Sequence, residues 1–401
     1  MGRWSKAWND LALLFFNTAV LFVLVNLAIG FGFKPAPAEA PPPAPGAPPP
    51  STDGRPQPGR WRTGWQLDHI DMAAYAEPVS DVEGMLDDMT QFSNLGVAYQ
   101  PWVQYGPPLY KGRFVNVEGK DPEFPFRHTV SPTGTPAGKP VEVYLFGGST
   151  VFGWDTADAW TLGSALWASL QLQYPQRPVH LVNYGRPLYY SSQEVLLFYR
   201  LLKTGHRPDV AIFLDGLNDV YQLSYQRDQP WMTPRLSDLL HRDQVGKSND
   251  LENYQWIPLV KLAFYLRQKM EHKAVQKLAM AEDSAPTGQV SKYVLDMYRA
   301  NRRLASQVGQ ADGVQTWFFW QPCPFVDYDM SLHRTPPPLS PRNQEVYRLV
   351  YSALQTDPDT VYLGDLAKAY GHRKIYVDDV HYGPDFTRFL ADRMAQAVHL
   401  P

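Results

Sequence analysis

Apolar and polar positions fall into two regimes along this chain. From residue 141 onward, short apolar runs alternate with amphipathic stretches. Runs at 141–146, 179–183, 210–214, 314–320 and 360–363 are dense in Val, Leu, Ile, Phe and Trp and are expected as strands. Segments 159–173, 191–204, 290–308 and 384–398 carry helical spacing. Such alternation implies an α/β domain over 141–401, a three-layer α/β/α arrangement with a central parallel sheet and helices on both faces. The pattern breaks at 221–287, where no strand is expected and 256–280 reads as an amphipathic helix with Lys and Arg on one face. This insertion is either a helical decoration or a cap over the site it follows. No internal repeat is present.

Before residue 141 the pattern is different. Residues 11–33 are almost wholly apolar and carry no charge, long enough for one transmembrane helix. The run exceeds the ~7–15 residues of a signal-peptide core, which favours an uncleaved anchor over cleavage after the small residues near Ala38. Arg3 and Lys6 place the 1–10 tail in the cytoplasm and the rest outside it, periplasmic if bacterial, although Lys34, Arg55 and Arg60 lie beyond the span. Residues 34–60 are rich in Pro and Ala and form an extended linker. Region 61–140 is expected to pack on the main domain, partly helical over 73–95 and extended over 99–117.

Composition narrows the function. The 401 residues carry a formal net charge of −3, so no basic face for nucleic acid is expected. Hydrophobic residues make up 44% of the chain, enough for a sizeable core. Cys323 is the only cysteine, which excludes an intrachain disulfide and leaves the compartment unread. No Cys/His cluster has metal-ligand spacing and no P-loop is present, so neither metal nor cofactor is expected.

Four islands carry the candidate chemistry: Gly147-Gly148-Ser149-Thr150, Asn183-Tyr184-Gly185, Gly216-Leu217-Asn218-Asp219 and Asp378-Asp379-Val380-His381. The first three follow expected strands, and the fourth precedes the last helical stretch. Ligands of open α/β sheets bind at this edge. A serine hydroxyl needs a base to become a nucleophile. His381 is the candidate base, and Asp378, three residues earlier, can orient its ring. Taken singly, each residue has an ordinary explanation: Ser149 a helix cap, His381 a surface histidine, Asp378 or Asp379 a loop aspartate, Gly185 a turn, Asn218 an Asx turn. Their joint occurrence in this order is the signal.

These residues resemble the SGNH branch of the GDSL hydrolases, over roughly 141 to the C-terminus, with Gly-Gly-Ser-Thr standing where Gly-Asp-Ser is usual. The resemblance implies a flavodoxin-like three-layer fold and a Ser149–His381–Asp378 triad. It implies an oxyanion hole from the Ser149 and Gly185 N–H groups and the Asn218 amide. Phe152, Trp154 and Tyr189 flank the islands and are expected either to line an acyl or sugar pocket or to pack in the core. The expected activity is that of a membrane-anchored, extracytoplasmic serine esterase cleaving acyl esters, O-acetyl esters of envelope polysaccharide or lipid among them, through an acyl-Ser149 intermediate. An O-acyltransferase using the same residues and a silent glycan-binding scaffold are the alternatives, with a nucleotide-binding Rossmann protein further off.

Overall fold

The strands are β1 (Ala98–Gln100), β2 (Gln104–Gly106), β3 (Tyr110–Lys111), β4 (Asn116–Glu118), β5 (Phe126–Arg127), β6 (Val141–Gly147), β7 (Val179–Asn183), β8 (Val210–Asp215), β9 (Gln315–Trp320) and β10 (Val361–Tyr362). This computed structural model describes residues 13, 15–18, 20–29, 70–75, 81–225, 228–230, 257–262, 285–334 and 339–401. Strands β1 and β2 pair with each other, and the other eight form one sheet in the order β10-β9-β8-β6-β7-β5-β4-β3. The five strands from β10 to β7 run parallel. Strand β6 sits centrally, with β7 on one side and β8 on the other, so the chain reverses its winding at the end of β6.

Successive residues of β6 point to opposite faces, and both faces are covered. Val143 and Leu145, with Leu181, Ile212 and Leu214, pack under the helices Leu162–Gln173 and Pro384–Ala397 through Leu166, Leu170, Leu390 and Met394. Tyr144 and Phe146, with Val182 and Phe213, meet the helices Ser191–Lys203 and Thr287–Ala311 through Leu197, Phe198 and Ala305. Burial on both faces explains why these strands read as continuous apolar runs. A third apolar cluster joins the helix Leu217–Tyr225 to the helix Pro341–Leu354 beside Trp320.

The sheet is mostly rather than wholly parallel. Strands β3, β4 and β5 are joined by short loops, which permit only antiparallel pairing. They attach to the parallel part through one pair, Arg127 with Asn183. The region ahead of residue 141 thus supplies three strands of the main sheet.

That region also straps the C-terminal loop. Asp71 N–H donates to Val377 O at 2.6 Å, and the Asp71 carboxylate pairs with Lys374. Ile70, Ala74, Tyr75, Met85 and Leu86 bury against Val377 and Ala157. Contacts divide the chain into two units, Met1–Pro50 with Pro234–Ser284 and Ser51–Thr233 with Ala285–Pro401. In the first, the described residues between 13 and 29 are helical, and Leu259 N–H donates to Asn26 Oδ1 at 2.9 Å. Among the described residues no helix is long and apolar enough to cross a membrane. The 1–10 tail, the 34–60 linker and most of the 221–287 insertion lie outside the described residues.

Candidate active site

Ser149 opens the four-residue helix Ser149–Phe152, two positions after the last residue of β6. Its N-cap, Gly148, is extended and offers no side-chain cap. A Cβ on Gly148 would lie 2.3 Å from Asn218 Nδ2 and 3.1 Å from Tyr189 O, so only glycine fits between these groups.

His381 comes from the far end of the chain. Its Nε2 lies 2.7 Å from Ser149 Oγ, and its Nδ1 lies 2.6 Å from Asp378 Oδ2. The other oxygen of Asp378 accepts the N–H groups of Val380 (3.0 Å) and His381 (2.8 Å), folding the turn around its own carboxylate. Val377 N–H closes that turn on His381 O at 2.8 Å. Burial alone would raise the Asp378 pKa. The neighbouring His381 charge, its ring hydrogen bond and the two backbone donors outweigh burial and hold the carboxyl well below its ordinary range. Asp378 therefore stays ionised, and it is Asp378 rather than Asp379 that faces the ring. Asp379 offers its backbone carbonyl to His333 Nε2 at 3.0 Å.

Gln321 joins Thr150, next to Ser149, to Tyr382, next to His381. Its Oε1 accepts Thr150 Oγ1 at 2.8 Å and Tyr382 OH at 3.1 Å, and Tyr382 OH also donates to Pro322 O at 2.6 Å. No sequence motif pointed to Gln321.

The three expected oxyanion donors differ in their surroundings. Ser149 N–H is the first of its helix, where backbone donors have no intrahelical partner. Asn218 Nδ2 donates one hydrogen to Tyr189 O at 2.7 Å, which fixes which end of the amide is nitrogen and leaves a second hydrogen. Gly185 N–H is engaged by the Asn183 side-chain carbonyl at 2.9 Å, and Asn183 Nδ2 donates to Val151 O at 2.7 Å. In this arrangement Gly185 N–H does not face an oxyanion. Gly185 serves instead as a spacer, since a Cβ there would lie 2.4 Å from Phe152 N.

Of the expected pocket residues, Phe152 is fully buried and stacks on Phe92 at 5.4 Å. Tyr189 is buried too, its ring edge-on to Tyr105 at 5.2 Å and its hydroxyl bonded to Tyr105 O. Both pack the interior rather than line a pocket. Trp154 is half-buried, its ring 6.4 Å from that of His381. It borders an apolar recess of about 40 Å³ with Phe92, Tyr105, Arg186, Pro187 and Leu188. Leu188 has φ +64, unusual for a bulky residue, and nothing in the sequence signalled it. A larger open cleft of about 1070 Å³, bordered by Tyr110, Phe114, His128 and Trp160, contains none of the triad.

Asp219 accepts Ser191 Oγ at 2.5 Å and Gly216 N–H at 3.3 Å, bracing the loop that carries Asn218. Burial raises its pKa to about 6, with those hydrogen bonds opposing, and pushes the neighbouring Asp215 and Glu194 carboxyls well above their ordinary range. Burial likewise pushes the Cys323 thiol up to about 12, which removes it as a nucleophile. Asp155, Asp378 and His381 bring side-chain donor atoms within 4.8 Å of one another. Both imidazole nitrogens of His381 are already engaged by Ser149 and Asp378, an acid–base arrangement rather than a set of metal ligands.

No protein-family model and no curated protein matches the chain. Among solved structures, a member of the lipolytic protein G-D-S-L family from Veillonella parvula DSM 2008 is similar at 11% identity and TM-score 0.32, covering 64% of this chain and 97% of that one. The psychrotrophic esterase EstA from Pseudoalteromonas sp. is similar at 12% identity and TM-score 0.34, covering 64% and 96%. An acetyl xylan esterase from Geobacillus stearothermophilus is similar at 13% identity and TM-score 0.35, covering 66% and 96%.

Proposed function

We propose that this chain is a serine esterase. One observation carries the reading: an unbroken hydrogen-bonded line from Ser149 Oγ through both nitrogens of His381 to Asp378. His381 Nε2 takes the Ser149 proton as Oγ attacks an ester carbonyl, and Asp378 stabilises the imidazolium that forms. The Ser149 N–H and the second Asn218 amide hydrogen are donors for the oxyanion. Collapse expels the alcohol, which takes its proton from His381, and leaves acyl-Ser149. Water then attacks by the reverse proton path.

The reading extends to an anchored, extracytoplasmic enzyme acting on acyl esters of the cell envelope, supported by the uncharged apolar run at 11–33 and the Pro-rich tract behind it. Ser149→Ala should leave the fold intact and abolish both ester turnover and labelling by a fluorophosphonate probe. Full turnover in that variant would remove Ser149 as the nucleophile. Assaying acetyl esters with and without a polysaccharide acceptor separates release to water from acyl transfer.

A further inference from the structure

The reaction set out above leaves one ionisable side chain beside the base without a task. Asp155 is wholly buried, and its carboxylate lies within 4.8 Å of the donor atoms of both Asp378 and His381. Its backbone is left-handed, with φ +60. Asparagine or glycine would satisfy that conformation without a charge. Burying a carboxylate is costly unless a positive group benefits.

Several elements converge to hold this residue in place. Tyr75 OH donates to Asp155 O at 2.8 Å in a buried bond from the strap. Trp154 N–H donates to Ser149 O at 3.0 Å, and Thr156 Oγ1 donates to Gly153 O at 3.0 Å. Arg127 of β5 donates to Thr156 O at 2.8 Å. A loop fixed from the helix of Ser149, the strap and strand β5 keeps one carboxylate against His381 and Asp378.

We propose that Asp155 is a second positioning carboxylate for His381, acting beside Asp378 to stabilise the imidazolium in both halves of the reaction. This rests on the esterase reading. The proton still passes from Ser149 Oγ to His381 Nε2 and on to the leaving alcohol, and Asp155 neither gives nor takes it. The other titratable groups around the pair are Asp378 and Asp379 on the turn, His333 against Asp379 O, the Lys374–Asp71 pair and the Tyr75 hydroxyl. Lys374 pairs with Asp71 and the buried Arg127 with Asp158, while the His381 imidazole lies within 4.8 Å of the Asp155 carboxylate, close enough for its cation to be stabilised there.

The test compares the full chain with Asp155→Asn, which keeps shape and left-handed tolerance, and with Asp155→Gly as a second variant should the first not fold. Titrating the His381 ring by NMR reads the coupling without any need for activity. The midpoint should fall by about one pH unit in either variant. With a short-chain ester, kcat should drop at least tenfold at neutral pH, KM should stay within twofold, and the acid limb of the rate profile should move to lower pH. In an Asp378→Asn background, adding Asp155→Asn should lower kcat further. An unmoved His381 midpoint overturns the proposal even if the enzyme hydrolyses esters. A lowered midpoint in a protein that neither turns over esters nor takes the probe upholds the coupling and overturns the esterase reading instead.

Discussion

Asn218 holds Tyr189 O with one amide hydrogen, and on the esterase reading the other is ready for a charge that exists only during reaction. Asn218→Ala should therefore lower kcat by about 10²–10³ with KM little changed, as for loss of one oxyanion donor. A rise in KM at constant kcat would make Asn218 a substrate-binding residue. Gly148→Ala tests the same donor from the other side, because the new methyl would need the space of Asn218 Nδ2. Its kcat should fall comparably, and the melting temperature should fall too, since the methyl must displace Asn218 and press on the Tyr189 carbonyl. Turnover should also rise with pH as the His381 imidazole becomes able to accept a proton, with Asp378 ionised throughout. Ser149, Asp378 and His381 stood out in the sequence because their islands together resemble the SGNH pattern, and the structure brings the three side chains together. The engagement of Gly185 N–H could not, since it depends on which way the Asn183 side chain turns. Asp155 had only a faint signal: an aspartate two residues after a glycine in a loop, of the type that tolerates left-handed backbone.

The catalytic turn is held by elements that carry no chemistry themselves. Asp71 and its neighbours pin residues 374–377 from outside, and Gln321 pins Tyr382 from within. Asp71→Ala should raise amide hydrogen exchange over 374–383 and lower kcat severalfold while leaving exchange in β6 and β8 unchanged. Unaltered exchange in the turn would mean the strap does not hold it. The strap and the short strands β3 to β5 were the least legible parts of the chain. β3 and β5 have two residues each, too few to show a period, and their place in the sheet follows from pairing partners far along the sequence. The helix Pro341–Leu354 was not among the expected elements, although Ser340-Pro341 offers a start signal and Val346, Tyr347, Val350, Tyr351 and Leu354 share its buried face. The strand–helix alternation from β6 to β9 was the most legible, because two-sided burial writes itself as unbroken apolar runs.

Across the whole molecule, the buried carboxyls set how stability follows pH. Glu194, Asp215 and Asp219 keep protons in the folded state that the unfolded chain releases at lower pH. Stability from this source is complete below the unfolded carboxyl value, near 4, and is lost as pH rises through the folded values, about 6 for Asp219. Asp215→Asn should therefore lose less melting temperature between pH 5 and pH 8 than the native chain does, and equal losses would contradict the account. The proposed anchor is tested by a chain starting at Trp61, which should leave the membrane fraction and keep full activity. The distance between partners along the chain has a consequence for biosynthesis. Ser149 and His381 are 232 positions apart, and at about 5–20 residues per second a ribosome needs roughly 12 to 46 s to pass from one to the other. Asp71 waits longer still, for Lys374, 303 positions away. On the esterase reading, the nascent chain would carry Ser149 without its base throughout that interval, and would be inert until His381 is made.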